Sequence, residues 1–274
     1  MNYYKARIQY DGTNYCGFQW QKDLRTIQND FNHALAKLMS GKISTMGSSR
    51  TDTGVHAIEQ IVKITFENQI ECEDFLTKLN LTLPTQIRCL NLNPCPGNFR
   101  PATDNISKEY RYLFTNNLRS GGFEQKFMAN HPYVLDIDLM MKCSQMIIGR
   151  KDFRNFCSAG SNVKSTIRDI SDCGLSEIDP RTVLPQTDLF LLPRDLEKCY
   201  QFKIEGNGFL KQMVRHLMRA LWLVGGGRIT PDEFSRLLKG LEKSGRLWKV
   251  APPQGLFLYR ITPLPEVISP PASH

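Results

Sequence analysis

No stretch of this chain is apolar for the roughly 18 to 20 residues that a helix needs to cross a bilayer. The longest apolar run, Ala220 to Val224, covers about one helical turn. Met1 to Arg7 alternates polar and apolar residues and lacks an apolar h-region. No secretory signal is therefore expected there, and a soluble, cytoplasmic protein with no membrane partner is. The eight cysteines (Cys16, Cys72, Cys89, Cys95, Cys143, Cys157, Cys173 and Cys199) include no Cys-x-x-Cys pair and have no histidine at ligand spacing. That argues against a zinc site, and the missing signal argues against a disulfide framework. Free thiols are expected, and no metal is implied. Low-complexity tracts and short-period repeats are missing as well.

The chain nevertheless has ample material for a folded protein: 274 residues, 41% of them hydrophobic. This is enough for one large or two ordinary domains and excludes a disordered or collagen-like chain. Lys and Arg number 35 against 27 Asp and Glu, a formal charge of +8. Such an excess suits a polyanionic partner such as nucleic acid, and it also suits solubility alone.

Periodicity gives the organisation. Tyr3 to Tyr10 alternates as a half-buried strand, with Tyr4, Ala6, Ile8 and Tyr10 on one side. Thr26 is a helix N-cap ahead of a stripe of Ile27, Phe31, Ala34, Leu35 and Leu38, with Gly41 past the end. Ile61 to Phe66 reads as a strand, Asp74 to Leu81 as a short helix and Ile87 to Leu92 as a third strand. The order then recurs: a strand over Lys108 to Thr115, a helix through Ile137, Met140, Met141, Ser144 and Ile147, and a strand through Tyr200, Phe202 and Ile204. A long helix over Phe209 to Val224 is broken by Gly225-Gly226-Gly227. Thr230-Pro231-Asp232-Glu233 opens another helix with a capping box, and Leu256 to Ile261 is a closing strand. This pattern predicts an α+β fold of two related halves with antiparallel or mixed sheets. The expected division is 1–104, 105–264 with an insertion over about 179–197, and a loose tail at 265–274.

The run Gly47-Ser48-Ser49-Arg50-Thr51-Asp52-Thr53-Gly54-Val55-His56-Ala57 sits between a predicted helix and a predicted strand, where loops carry reactive groups. A cation near Asp52 would lower its pKa and keep it ionised as a nucleophile. Asp-Thr-Gly also marks pepsin-like proteases, but the chain has no second Asp-Thr/Ser-Gly, so that reading needs a dimer. A polar turn in which Asp52 caps a backbone amide is the third reading.

The run resembles the Gly-Arg-Thr-Asp-x-Gly-Val-His-Ala signature of the TruA family of tRNA pseudouridine synthases. Six further segments resemble that family in order: Tyr10 to Gln21, Thr26 to Leu35, Ser107 to Tyr112, Gly149 to Phe156, Gly206 to Arg215 and Ala251 to Leu258. The resemblance spans about residues 3 to 262. It implies two related domains sharing one extended sheet, helices on one face and a positively charged cleft. It also implies a cofactor-free isomerase acting on uridines 38 to 40 of the tRNA anticodon arm, and a homodimer.

By this resemblance Asp52 is the catalytic aspartate, Arg215 its ion-pair partner, Tyr110 the tyrosine that stacks on the target base, and Arg50 an aid to extracting the uridine. Lys211, Arg215 and Arg219 recur at i, i+4 and i+8, a basic helix face that is either a solvated row or an RNA contact. His56 is expected to be structural or RNA-contacting, and Tyr112 to be core. Ser49 stands where the family usually has Gly, Thr53 where it has a small Ala, and Phe18 where Trp is commoner. A silent RNA-binding or RNA-folding module using the same cleft is the alternative function.

Overall fold

The computed structural model describes residues 1–116, 126–160, 163–179, 198–241 and 249–265. The expected insertion beyond Asp179 and the tail beyond Pro265 lie outside them. The strands are β1 (Asn2–Tyr10), β2 (Ser44–Gly47), β3 (His56–Phe66), β4 (Ile87–Pro94), β5 (Asn105–Thr115), β6 (Ala129–Asn130), β7 (Gly149–Asp152), β8 (Ile167–Ile178), β9 (Cys199–Gly206) and β10 (Leu256–Pro263). The helices are α1 (Ile27–Leu38), α2 (Cys72–Thr82), α3 (Ile137–Gln145), α4 (Met213–Gly225) and α5 (Pro231–Leu238).

All the strands join one sheet in the order β4-β1-β3-β10-β5-β9-β8-β7, with β2 on β3 and β6 on β5. The closing strand is the seam. β10 pairs parallel to β3 through Phe257 and Leu258 and antiparallel to β5, so it joins the first four strands to β5 through β9. In β1 the even residues Tyr4 to Tyr10 are buried and the odd ones half-buried, as the alternation predicts. Those residues share one apolar cluster with the buried faces of all five helices and with Tyr110, Tyr112, Phe114, Phe202 and Ile204. The opposite face of the sheet carries a small second cluster around Leu113, Cys199 and Phe257. One face is thus covered by helices, the arrangement expected for an α+β layer.

Caps fix the helix starts. Thr26 accepts from Asn29 N at α1, and Thr230 and Glu233 complete a reciprocal capping box at α5. Strands β2, β6, β7 and β8 have no counterpart in the sequence expectations, and β3 and α4 start elsewhere than expected. β3 begins at His56, so the Asp52 loop runs from one strand to another, not from helix to strand. α4 begins at Met213 because Gln212 is left-handed (φ 59°), which leaves Phe209 to Lys211 in the approach to the helix. β8 shows no alternation in the sequence because a register shift between Ile170 and Asp172 breaks it, so its buried residues Ile170, Cys173 and Leu175 are unevenly spaced.

Candidate active site

Residues 48–55 connect β2 to β3, and hydrogen bonds from several elements hold them. Gln60, fully buried on β3, clamps Ser49 on both sides: its Nε2 donates to Ser49 O (2.6 Å) and its Oε1 accepts from Ser49 N (3.1 Å). The hydroxyls of Thr51 and Tyr10 meet at 2.8 Å, and Thr51 O accepts from Phe18 N at 3.1 Å. Gly17 has φ 91°, and a Cβ there would stand 2.6 Å from Thr51 O, so only glycine permits this approach. Val55 N donates to Asp52 O (3.1 Å), closing a turn in which Gly54 takes φ 75°.

That turn presents Asp52 with its side chain 29% exposed and Oδ2 3.7 Å from Nη1 of Arg215, whose own side chain is 9% exposed. Arg215, in the first turn of α4, also donates from Nε to Ala251 O at 2.7 Å, which ties the guanidinium to the segment before β10. Burial pushes the Asp52 carboxyl above its ordinary value, outweighing the pull of Arg215 and Lys211. The expectation of a cation-lowered carboxyl is therefore corrected: the ion pair is long, and enclosure counts for more.

Tyr110, buried on β5, has its hydroxyl 2.9 Å from Ser49 Oγ and its ring edge-on to Phe209, with centroids 5.0 Å apart. Burial pushes its phenol up to about 12, Ser49 opposing and Asp52 adding to the rise. It is a neutral phenol at physiological pH and can stack or relay a proton. Tyr112 is core, its hydroxyl donating to Pro252 O at 2.8 Å.

Two cavities share Asp52 in their walls. One, of about 720 Å³, is lined by Ser49, Lys108, Tyr110, Phe209 and Leu210 among others. The second, of about 790 Å³, is lined by Phe18, Trp20, Arg215 and Pro253 among others. Arg50, Thr51, Lys211 and Gln212 belong to both. Each is within the roughly 300–1,000 Å³ of ordinary ligand pockets. Among the described lining residues, which include Arg50, Lys108, Lys211 and Arg215, Asp52 is the one carboxylate. Among the described residues, no three His, Cys, Asp or Glu side chains converge to hold a metal ion.

A family model described as tRNA pseudouridine synthase matches residues 6–101 and 143–262. The protein named tRNA pseudouridine synthase A of Listeria innocua serovar 6a is 35% identical over 262 residues, covering 95% of this chain and 99% of that protein. Proteins of the same name from Pseudothermotoga lettingae and Clostridium acetobutylicum are 33% and 32% identical, the matches covering 95% and 94% of this chain and 99% and 98% of those proteins. The chain belongs to the tRNA pseudouridine synthase family.

Within this pseudouridine synthase the structure brings Asp52, Arg215, Tyr110 and Arg50 together, with exposed Lys211 beside them. It separates the other two. His56 is 1% exposed, sandwiched between Phe127 and Phe257, and accepts from Gly12 N at 3.1 Å. Its partners are the segment after β1 and two aromatic rings, and it lines neither cavity. Arg219 lines neither cavity and interacts with His131. The supposed basic helix face is not one, since Lys211 precedes the helix and Arg215 is buried. No helix among the described residues is long and apolar enough to cross a membrane.

Three further residues join the site or its support in the structure. Lys108 shares the Tyr110 strand face by the period of two. Gln60 is a polar residue at an inward strand position, a signal that asks for a backbone partner. Trp20 is 54% exposed on the wall of the second cavity. Ser49, a departure from the family pattern, supplies the hydroxyl that meets Tyr110.

Proposed function

We propose that Asp52 carries out the isomerisation of uridine to pseudouridine in tRNA, with its target in the anticodon arm. The observation that carries this reading is a half-shielded carboxylate, set 3.7 Å from a buried arginine, on the wall common to two cavities. Either role of the carboxylate, attack on C1′ or action at the base, needs an anion kept from bulk water beside a fixed cation. Tyr110 lines the cavity where a flipped base would stack, and its neutral phenol can pass the C5 proton on only by giving its own to Ser49 Oγ. Exposed Arg50, shared by both cavities, suits an arginine that draws the uridine from its stack. A target base must be flipped out before its glycosidic bond can be turned over. Exposed Lys211 suits a phosphate contact, and binding should weaken with salt.

Release of tritium from tRNA carrying C5-tritiated uridine tests the reading, because joining C1′ to C5 expels that hydrogen. Release by the native protein, and none by an Asp52→Ala variant that still binds tRNA, is the expected result. Salt-sensitive binding without release from any tRNA would leave an RNA-binding or RNA-folding module. The homodimer and the cytoplasmic location rest on the family resemblance. Light scattering of the purified protein and fractionation of cells test them.

A further inference from the structure

We propose that Lys108 is the hydrogen-bond donor that takes a carbonyl oxygen of the uracil ring as the glycosidic bond breaks and holds the detached base while it turns. The inference rests on the isomerase reading above and adds a residue to it.

Lys108 stands on β5 two residues before Tyr110, so both side chains leave the same face and line the 720 Å³ cavity with Asp52. It is 9% exposed. Its one hydrogen bond to a described residue runs from Nζ to Ser48 O (2.8 Å), and no described carboxylate lies within 4.0 Å of it. An ammonium has three N–H donors, so two remain uncommitted at a cavity wall. A buried, unpaired cation works against folding, and a chain retains one where something else gains from it. Burial draws its pKa down to about 8, so the group is mostly charged at neutral pH.

The chemistry supplies a use for it. When C1′–N1 breaks, the electron pair leaves with the base, and the uracil anion spreads its charge over N1, O2 and O4. After rotation C5 bonds to C1′, C5 gives up its proton, and N1 takes one up, so the composition is unchanged and no oxidant or reductant takes part. A donor fixed beside O2 or O4 stabilises the charge that develops, and does so more strongly in a shielded cavity than at a wet rim. The other cations are otherwise placed: Arg215 is engaged by Asp52 and Ala251, while Arg50 and Lys211 are exposed. Val55, Phe209, Leu210, Met213 and Leu256 give this mixed cavity an apolar part that suits the faces of a base, and the Asp52 carboxylate in the same wall works against a phosphate.

The test compares single-turnover isomerisation of tRNA carrying uridine, 2-thiouridine or 4-thiouridine at the target, for the native protein, Lys108→Met and Lys108→Gln. Gln keeps a donor for Ser48 O and removes the charge, so it carries the comparison if the Met variant loses cooperative melting. On uridine the variants should be slower by roughly 10² to 10³-fold, with tRNA affinity within about threefold of native and a melting temperature that does not fall. Sulfur accepts hydrogen bonds weakly. One of the two thio substitutions should therefore slow the native protein more than it slows the variants. Equal thio effects in native and variant proteins would overturn the inference. So would variant rates within about threefold of native, or a reduced salt dependence of binding with the rate intact, which would make Lys108 a phosphate contact. A native protein inactive on every tRNA would sink the parent reading instead, whereas activity lost in Asp52→Ala and kept in Lys108→Gln would sink this one alone.

Discussion

Gln60 touches no substrate in this reading, yet the position of Asp52 depends on it. Its amide makes two hydrogen bonds to the backbone of Ser49, three residues before the carboxylate. Gln60→Leu keeps the volume and removes both. Each backbone group left dry costs about 1–3 kcal/mol. Ser49 is only half-buried, so water reaches it in part, and the lower end applies, about 2–3 kcal/mol for the pair. For a chain of this size that lowers the melting temperature by roughly 4–10 °C. The rate should suffer more than the stability, because a shift of about 1 Å in a reacting group can cost around 10²-fold. Gln60→Glu separates the two bonds: a carboxylate still accepts from Ser49 N but repels Ser49 O. Thermal melts together with single-turnover tritium release give both numbers. A Gln60→Leu protein that melts several degrees lower but keeps native turnover would show that the loop is positioned from elsewhere.

Asp52→Asn should abolish release without lowering stability at pH 7. A carboxyl raised above its unfolded value is favourable to folding only while protonated, a contribution present below the unfolded pKa and lost as pH rises through the folded one. A melting temperature for Asp52→Asn at pH 7 clearly below native would contradict this. By the same shift, the native rate should fall on acidification at a higher pH than an unshifted aspartate would give, which a pH–rate profile reads directly. Arg215→Lys should slow turnover by about 10-fold or more, because one ammonium cannot serve both Asp52 and Ala251 O as the guanidinium does; native turnover in that variant would remove the pair from the mechanism. Trp20→Ala should weaken tRNA binding by about 1–3 kcal/mol, the worth of one stacked base, with the salt slope unchanged. Unchanged affinity would place Trp20 outside the RNA path.

Much of this protein was already determined by its sequence. The alternation of Tyr4 to Tyr10, the stripe from Ile27 to Leu38 with its Thr26 cap, and the capping box at Thr230 depend on contacts a few residues apart, so local pattern decides them. The Asp52 loop was legible as a motif, because its glycines answer to backbone conformation and close approach. The tertiary structure decided the rest. β8 lost its alternation to a bulge set by pairing with β9, and β10 acquired its role as a seam only by lying between β3 and β5. The pKa of Asp52 rose because cavity walls enclose it, a quantity summed over residues far apart in sequence. His56 and Arg219 look available for RNA in a linear reading, whereas the fold buries His56 and leaves half-buried Arg219 out of the lining of both cavities. Gln60 and Lys108 gained their meaning from distances of 2.6 to 3.1 Å to Ser48 and Ser49. Periodicity reports which face a side chain leaves from, whereas burial and charge depend on what the rest of the chain brings to that face.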